Sequence, residues 1–394
     1  MTDFGALLFP EVQAYIREHT GIDPATLALK PPPFADVSTP LLLLQVAARA
    51  KAKDKLPSWF QTENVVYPSR VSVEQTSSET TAAYKASQVS GERLADLTGG
   101  FGVDSFYFSK SVNEVIHIER DAFLSDIAAH NFRLLDASNV RCENVDSTEW
   151  LQNQGEFDWL YIDPSRRHDQ KGKVFMLRDC LPDVPSLLDF YFLHAGHIMI
   201  KTAPLLDISA GLSELHSVKE IQVVSVGNEV KELLWILEKG FSGTPSVRAV
   251  MLGEALRTFS FSFGETVAIP FCAPLAYLYE PTAAILKSGG QDIIADRLEI
   301  AKLAPYSHLY TADGIVDFPG RIFVIREVMP YGKSEMAGLK GKKANITVRN
   351  FPETVEALRK KWKISNGGND YWFFTTDKAN RKIVLLCAKI ESTL

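Results

Sequence analysis

Asp96-Leu97-Thr98-Gly99-Gly100-Phe101-Gly102-Val103-Asp104 is the stretch on which the reading of this chain turns. An apolar run, Arg93-Leu94-Ala95-Asp96, leads into it and a helix-compatible segment follows, so glycines stand between a strand and a helix. Glycine permits φ > 0 and lets a ligand touch the backbone directly. At the carboxyl end of a strand in a doubly wound sheet, such a loop receives nucleotide-like ligands. The spacing departs from G-x-G-x-x-G, because Ser105 stands where the third glycine would fall when counting from Gly100. Asp96, which opens the loop, would repel a pyrophosphate and suits an ammonium group or a water network.

On both sides of the loop the sequence alternates strands and helices. Apolar strands are predicted at residues 114–118, 159–162, 196–200, 219–226 and 233–237, with helices over 121–135 and 180–194 between them. Strands separated by helices of that length predict right-handed crossovers and a parallel sheet covered on both faces. The short loop Gly227-Asn228-Glu229 joins the last two strands as a hairpin. The expected fold is α/β: a Rossmann-like sheet, mostly parallel with one antiparallel edge strand. Upstream, residues 1–69 read as a helical region. One helix starts at Pro10, and a second, from Leu41 to Lys55, is capped by Ser38 or Thr39 with Pro40 at its start. Downstream, residues 241–394 read as small α+β domains. They offer one or two strands within 247–263, a helix over 280–287 and strands at 321–328 and 344–349. A helix over 352–363 and strands at 371–374 and 382–388 complete them.

Carboxylates recur at the ends of the successive strands. Glu119 follows Val115-Ile116-His117-Ile118, 17 residues after Gly102, where an acid can accept hydrogen bonds from both ribose hydroxyls. Asp146 follows a short predicted strand at Val140-Arg141-Cys142, where a carboxylate faces an adenine amino group. Each acid alone reads equally as a surface residue; their order at consecutive strand ends points to S-adenosylmethionine (SAM). Asp163-Pro164-Ser165-Arg166-Arg167 closes the fourth strand. It resembles the Asp/Asn-Pro-Pro-aromatic loop of methyltransferases that modify planar exocyclic amines, but Ser165 and Arg166 replace the second proline and the aromatic. Asp163, Pro164 and Arg166 are the catalytic candidates. Asp163 orients or deprotonates an acceptor, while Arg166 either stacks on a base, contacts a phosphate or pairs with a neighbouring carboxylate. Lys201, at the end of the fifth strand, reads as a substrate contact or as a structural lysine. In Glu74-Gln75-Thr76-Ser77-Ser78-Glu79, Gln75 or Ser77 reads as a donor to the methionine end of the cofactor. A helix cap at Ser77 or Ser78 is the alternative.

On these residues, the chain resembles a bacterial family of class I SAM-dependent methyltransferases with C-terminal ferredoxin-like and THUMP-like domains. The marks are the 74–79 and 96–104 stretches, Asp163 to Arg167, Tyr279-Glu280-Pro281 with Ala284 to Lys287, and Ala344 to Pro352. The resemblance implies a helical region at 1–69, a methyltransferase domain at 70–240, a ferredoxin-like domain at 241–320 and a THUMP-like domain at 321–394. It implies SAM as cofactor, held by Gln75, Asp96, Thr98, Gly99, Gly100, Gly102, Glu119 and Asp146. Because THUMP-type modules are associated with RNA, it also implies an RNA substrate, tRNA or rRNA.

Charge agrees with an anionic partner. The chain carries a net −6, yet Arg321 to Lys363 holds eleven Lys/Arg against four Glu and no Asp. Arg349, Arg359, Lys360 and Lys361 are candidate phosphate contacts, which position RNA without reading its sequence. Tyr371 and Trp372 read as base-stacking or as core residues. At 394 residues, two to four folding units are expected. No apolar run approaches the roughly 20 residues that cross a bilayer, and no signal peptide is visible, so a cytoplasmic location is expected. The four cysteines lie far apart without metal-ligand spacing, so no metal site is expected. Nothing in the sequence sets the oligomeric state. Two further readings stay open: an RNA-binding protein that holds SAM without catalysis, and a small-molecule methyltransferase.

Overall fold

The structure, a computed structural model, describes residues 4–166 and 176–390, without the side chains of residues 70–72 and 166. It divides into two compact units, Met1–Ile221 with Glu232–Gly243, and Gln222–Lys231 with Thr244–Leu394.

The first unit is built on β1 (Gly91–Asp96), β2 (Val112–Ile118), β3 (Val140–Glu143) and β4 (Phe157–Ile162). A two-residue ribbon, β5 (Ser165–Arg166) with β6 (Cys180–Leu181), follows. Then come β7 (Ala195–Thr202), β8 (Val218–Val226) and β9 (Glu229–Glu238), the tip of the last hairpin belonging to the second unit. The order in space is β8-β9-β7-β4-β1-β2-β3. Neighbours from β7 to β3 run parallel, and β9 pairs antiparallel with β7. The expected hairpin is β8–β9, but its antiparallel strand β9 lies between β7 and β8 rather than at an edge. Both faces are covered, so the strands are apolar at consecutive positions rather than alternating; the last four residues of β4 are all buried.

Aspartates start the crossover helices. Asp121, Asp146, Asp183 and Asp207 each accept a backbone N–H of the following first turn, satisfying donors that have no intrahelical partner. The helix predicted over 180–194 begins only at Val184, because Cys180–Leu181 pairs as β6 and Asp183 takes the cap.

The N-terminal helices Pro10–Glu18, Pro24–Ala28, Thr39–Lys55 and Pro57–Gln61 belong to the same unit. Their core is continuous with the glycine loop: Trp59 meets Phe106 edge-on at 4.8 Å, and Phe101 lies 6.1 Å from Tyr67. The extended backbone at Val66 and Tyr67 is held by buried amides on two elements. Asn131 exchanges two hydrogen bonds with Val66, and Gln45 does the same with Tyr67. A Trp or Tyr ring buried in this way contributes about 2–3 kcal/mol, so these helices clamp the loop they cover.

In the second unit, β10 (Ser246–Leu252) and β11 (Arg257–Ser262) pair antiparallel, two strands where the sequence allowed one or two. A seven-stranded sheet follows, made of β12 (Tyr277–Pro281), β13 (Ala301–Lys302), β14 (Tyr310–Ala312), β15 (Gly320–Pro330), β16 (Asn345–Val348), β17 (Asp370–Thr376) and β18 (Lys382–Lys389). Its order is β13-β14-β12-β15-β18-β17-β16, with only β16–β17 parallel. The helix predicted over 280–287 is shorter: Glu280 and Pro281 end β12, and Thr282 caps Ala283–Ser288. Likewise the helix predicted over 352–363 spans Val355–Trp362 with Thr354 as its cap. Period-two alternation splits β17 between two cores, Phe373 facing Phe323 and Leu385, and Trp372 and Phe374 facing Met336 and Leu358. Trp372 is therefore a core residue, and Tyr371 packs partly buried against Phe323.

Candidate active site

The carboxyl ends of β1, β2, β3 and β4 border a cleft of about 580 Å³. Its lining includes Gln75, Asp96, Thr98, Gly99, Gly100, Glu119, Asp146 and Asp163, which come from separate parts of the sequence. Leu181, Pro182, Asp183 and Leu187 close another side. The β6-to-helix segment that carries them lacks any sequence motif.

The glycine loop is fixed by what lies beneath it. A Cβ on Gly99 would fall 2.3 Å from His117 Cε1, so only glycine lets the loop cross the buried imidazole. Gly102 has φ +88° and a Cβ there would meet Phe132 Cζ at 2.5 Å. Gly102 does not border the cleft; its role is to turn the chain into helix Val103–Phe108. Pro164 is also buried and outside the lining. The Arg166 side chain and Arg167 lie outside the described residues.

Asp96 borders the cleft and is engaged within its own loop. It is 1% exposed, with Oδ1 accepting from Thr98 N at 3.1 Å and Oδ2 from Ser105 Oγ at 2.6 Å. Each oxygen thus takes a hydrogen bond that shapes the loop, and burial leaves the carboxylate little surface to offer a ligand. Burial pushes its carboxyl up to about 7. Ser105 also contacts His117 Nδ1 at 2.9 Å, and burial pushes that imidazole down to about 3.

Glu119 accepts from Gly100 N at 3.0 Å through Oε2 and from Asp121 N at 2.8 Å through Oε1. Asp146 uses Oδ1 alone to cap its helix, at 2.9 Å from Thr148 N and 3.2 Å from Glu149 N. A carboxylate offers about four acceptor positions, so both acids retain capacity toward the cleft. Gln75 also lines the cleft and is exposed. Ser77 is buried and committed: Oγ donates to Asp104 Oδ2 at 2.8 Å and accepts from Lys85 Nζ at 2.8 Å. The cap of helix Glu79–Ala86 is Ser78, which accepts from Thr81 N.

Beneath Asp163 lies a charge network that no motif announces. Lys85, fully buried, donates to both oxygens of Glu232 at 2.9 Å and lies 3.1 Å from Asp104 Oδ1. Asp104 also accepts from Tyr161 OH at 2.8 Å. Burial alone would raise the Asp104 carboxyl, but Lys85 and Lys201 with hydrogen bonds from Ser77 and Tyr161 hold it below its usual range. Asp163 is anchored twice, its N–H donating to Thr98 Oγ1 at 2.7 Å and its Oδ2 accepting from Lys201 Nζ at 2.5 Å. Burial would lower the Lys201 pKa, yet Asp163, Glu232 and Asp104 together raise it above the ordinary lysine value. Asp104 has a sequence signal, an acid two residues past the last loop glycine. Lys85 and Glu232 have none.

In the second unit, three of the four candidate phosphate contacts are engaged within the chain. Arg349 Nη2 donates to buried Glu280 at 2.7 Å, and Arg321 pairs with the same carboxylate. Arg359 donates to Ala344 O, Ile364 O and Asn366, and Lys361 to Tyr331 OH and Glu353. Lys360 is exposed. Among the described residues no group of acids, histidines and cysteines could hold a metal, and no helix is long and apolar enough to cross a membrane.

This strand order, with an antiparallel strand set beside β7 and a glycine loop after β1, defines a class I methyltransferase fold. A solved structure described as "putative methyltransferase from Porphyromonas gingivalis W83" is 30% identical over 99% of this chain and 100% of that one, with TM-score 0.88. The chain belongs to that family, a methyltransferase-fold domain followed by ferredoxin-like and THUMP-like segments. A ferredoxin-like domain family matches residues 277–319 and a THUMP domain-like family matches 320–389; β12 from the first and β15 from the second pair within one sheet. More distant likenesses include the 16S rRNA N2 G1207 methyltransferase of T. thermophilus (15% identity, 42% of this chain and 44% of that one, TM-score 0.33). Another is precorrin-6y C5,15-methyltransferase of Geobacter metallireducens GS-15 (16%, 41% and 88%, TM-score 0.30). Neither is similar enough to bear on the acceptor. No curated protein matches.

Proposed function

We propose that the protein is a SAM-dependent methyltransferase that modifies a base in structured RNA, tRNA or rRNA, with the C-terminal unit docking the RNA. The observation that carries the cofactor is the single cleft bordered by Thr98 to Gly100, Glu119, Asp146 and Asp163. The residues fit SAM. Glu119 and Asp146 keep acceptor capacity for ribose and adenine, and Arg120 is the one basic residue among the described lining, against six acids, of which Asp104 and Asp163 are paired with lysines behind them. Such a lining suits a cationic adenosine ligand and opposes a pyrophosphate. Bound there, SAM would supply an electrophilic methyl group. The chain's own residues orient the acceptor at Asp163, hold the loop through Asp96, and exclude water with Leu181 and Leu187. Positioning of this kind supplies roughly 7–11 kcal/mol of barrier reduction without a strong base.

The RNA assignment rests on the THUMP-like segment and its basic excess. A target base in a duplex would be flipped out, or would lie in a loop. The intramolecular pairing of Arg349, Arg359 and Lys361 favours a second reading, a small-molecule methyltransferase. Tritium transfer from labelled SAM to total RNA, lost in Asp163→Ala, is the result expected. Transfer only to a low-molecular-weight fraction selects the second reading, and absence of SAM binding in calorimetry overturns both.

A further inference from the structure

Asp163 borders the cleft, whereas its partner Lys201 does not. Lys201 is 13% exposed and sits in β7 between β4 and β9, behind the carboxylate. Its neighbour Thr202 accepts from buried Trp235 Nε1 at 3.0 Å, and Lys201 itself is in register with Leu234. The ammonium therefore has little freedom to leave. With Thr98 Oγ1 holding the Asp163 N–H, the carboxylate is fixed at both its backbone and its Oδ2.

Resting on the cofactor reading above, we propose that Lys201 is a positioning residue that fixes Asp163 as an anionic hydrogen-bond acceptor. The methyl acceptor is then a nitrogen that carries hydrogen, oriented by donating N–H to Asp163 Oδ1. Three observations support this. Oδ2 is spent on Lys201, while no hydrogen bond from a described residue reaches Oδ1. An ammonium lies 2.5 Å from Oδ2, which engages the side chain as a hydrogen-bond acceptor. Lys201 keeps its own charge because Asp104 and Glu232 lie close by as well. A hydroxyl acceptor must shed its proton as its oxygen attacks, which calls for a base. An amine nitrogen attacks with its existing lone pair. The nitrogen–carbon bond forms as the carbon–sulfur bond breaks, sulfur keeps the bonding pair, and the nitrogen becomes cationic. One of its hydrogens then leaves as a proton to water. The Asp163–Lys201 pair thus supplies the orientation that an Asp-Pro-Pro-aromatic loop supplies elsewhere, although Ser165 and Arg166 interrupt that pattern here.

The test uses the full chain, labelled SAM and total RNA from cells lacking the protein, with nucleosides identified by mass spectrometry. SAM affinity is measured in parallel by calorimetry. Wild type is expected to place the methyl on nitrogen. Lys201→Met should lower turnover by roughly 10²-fold, the cost of misplacing a group by about 1 Å, with SAM affinity unchanged. Lys201→Arg should recover much of the turnover. A methyl found on ribose oxygen, or Lys201→Met turning over at the wild-type rate, overturns the inference and leaves the cofactor reading standing. Loss of SAM binding in both Lys201 variants also overturns it. A wild type that binds no SAM overturns the cofactor reading itself.

Discussion

Lys85 and Glu232, 147 residues apart, form a fully buried bidentate ion pair with both Nζ–Oε distances at 2.9 Å. Lys85 comes from helix Glu79–Ala86 and Glu232 from β9, so the pair joins a helix before the first strand to the last strand of the unit. Asp104, one side of the cleft, shares the same ammonium. Lys85→Met should cost about 3–5 kcal/mol, because it leaves two carboxylates buried without their cation. Urea unfolding would show this, and Lys85→Met with Glu232→Met should regain part of the loss.

Gly99 and Gly100 should separate folding from binding. Gly99→Ala drives a methyl into His117 and is expected to destabilise by about 1–3 kcal/mol. A Cβ on Gly100 would meet nothing closer than Thr98 O at 3.7 Å, and only its φ of +58° resists substitution. Gly100→Ala should therefore cost about 1 kcal/mol, while Gly100→Arg should abolish SAM binding in calorimetry with the fold retained.

Asp96 and His117 should oppose each other in pH dependence. Asp96 rises from 3.8 to about 7 on folding, so its contribution is full below 3.8 and lost as pH rises toward 7. His117 falls from 6.5 to about 3, so its contribution is full above 6.5 and lost as pH falls toward 3. Across pH 4–6.5 the two gradients offset one another. Relative to wild type, Asp96→Asn should lose stability on acidification from about pH 7 to about pH 4, and His117→Gln should gain it. Urea midpoints at the two pH values would decide; parallel shifts in both variants would contradict the burial of these groups.

Arg349 and Lys360 should diverge. Arg349→Ala removes one of two cations from buried Glu280 and should lower the melting temperature. Lys360→Ala touches an exposed side chain and should change stability by less than about 0.5 kcal/mol. If the C-terminal unit docks RNA through Lys360, that variant alone should weaken RNA retention and flatten its salt dependence.

Much of the methyltransferase unit is legible in the sequence because its signals are local. The strand preceding Asp96, the glycines after it and the acids at the next strand ends are all read within a few residues. The aspartate caps illustrate the limit of such reading. Asp146 is both a helix cap and a cleft residue, and the sequence shows only that an acid stands there. Periodicity alone starts the helix at Cys180 rather than Val184, because the pairing of Cys180 depends on Arg166, a partner 14 residues away. The lysines and arginines of 321–363 are legible as a charge excess, but not as partners of Glu280 and Glu353.

The alternating α/β order, the glycine loop and the succession of Asp96, Glu119, Asp146 and Asp163 are written in the sequence, because each follows from periodicity and backbone conformation over short spans. The partners of those acids came from the tertiary fold. It spent Asp96 on its own loop, placed Lys201 against Asp163, and buried Lys85 between Asp104 and Glu232. The physical reason is that an ion pair depends on distance through space, and a low-dielectric interior makes its partners matter most where the chain brings remote residues together.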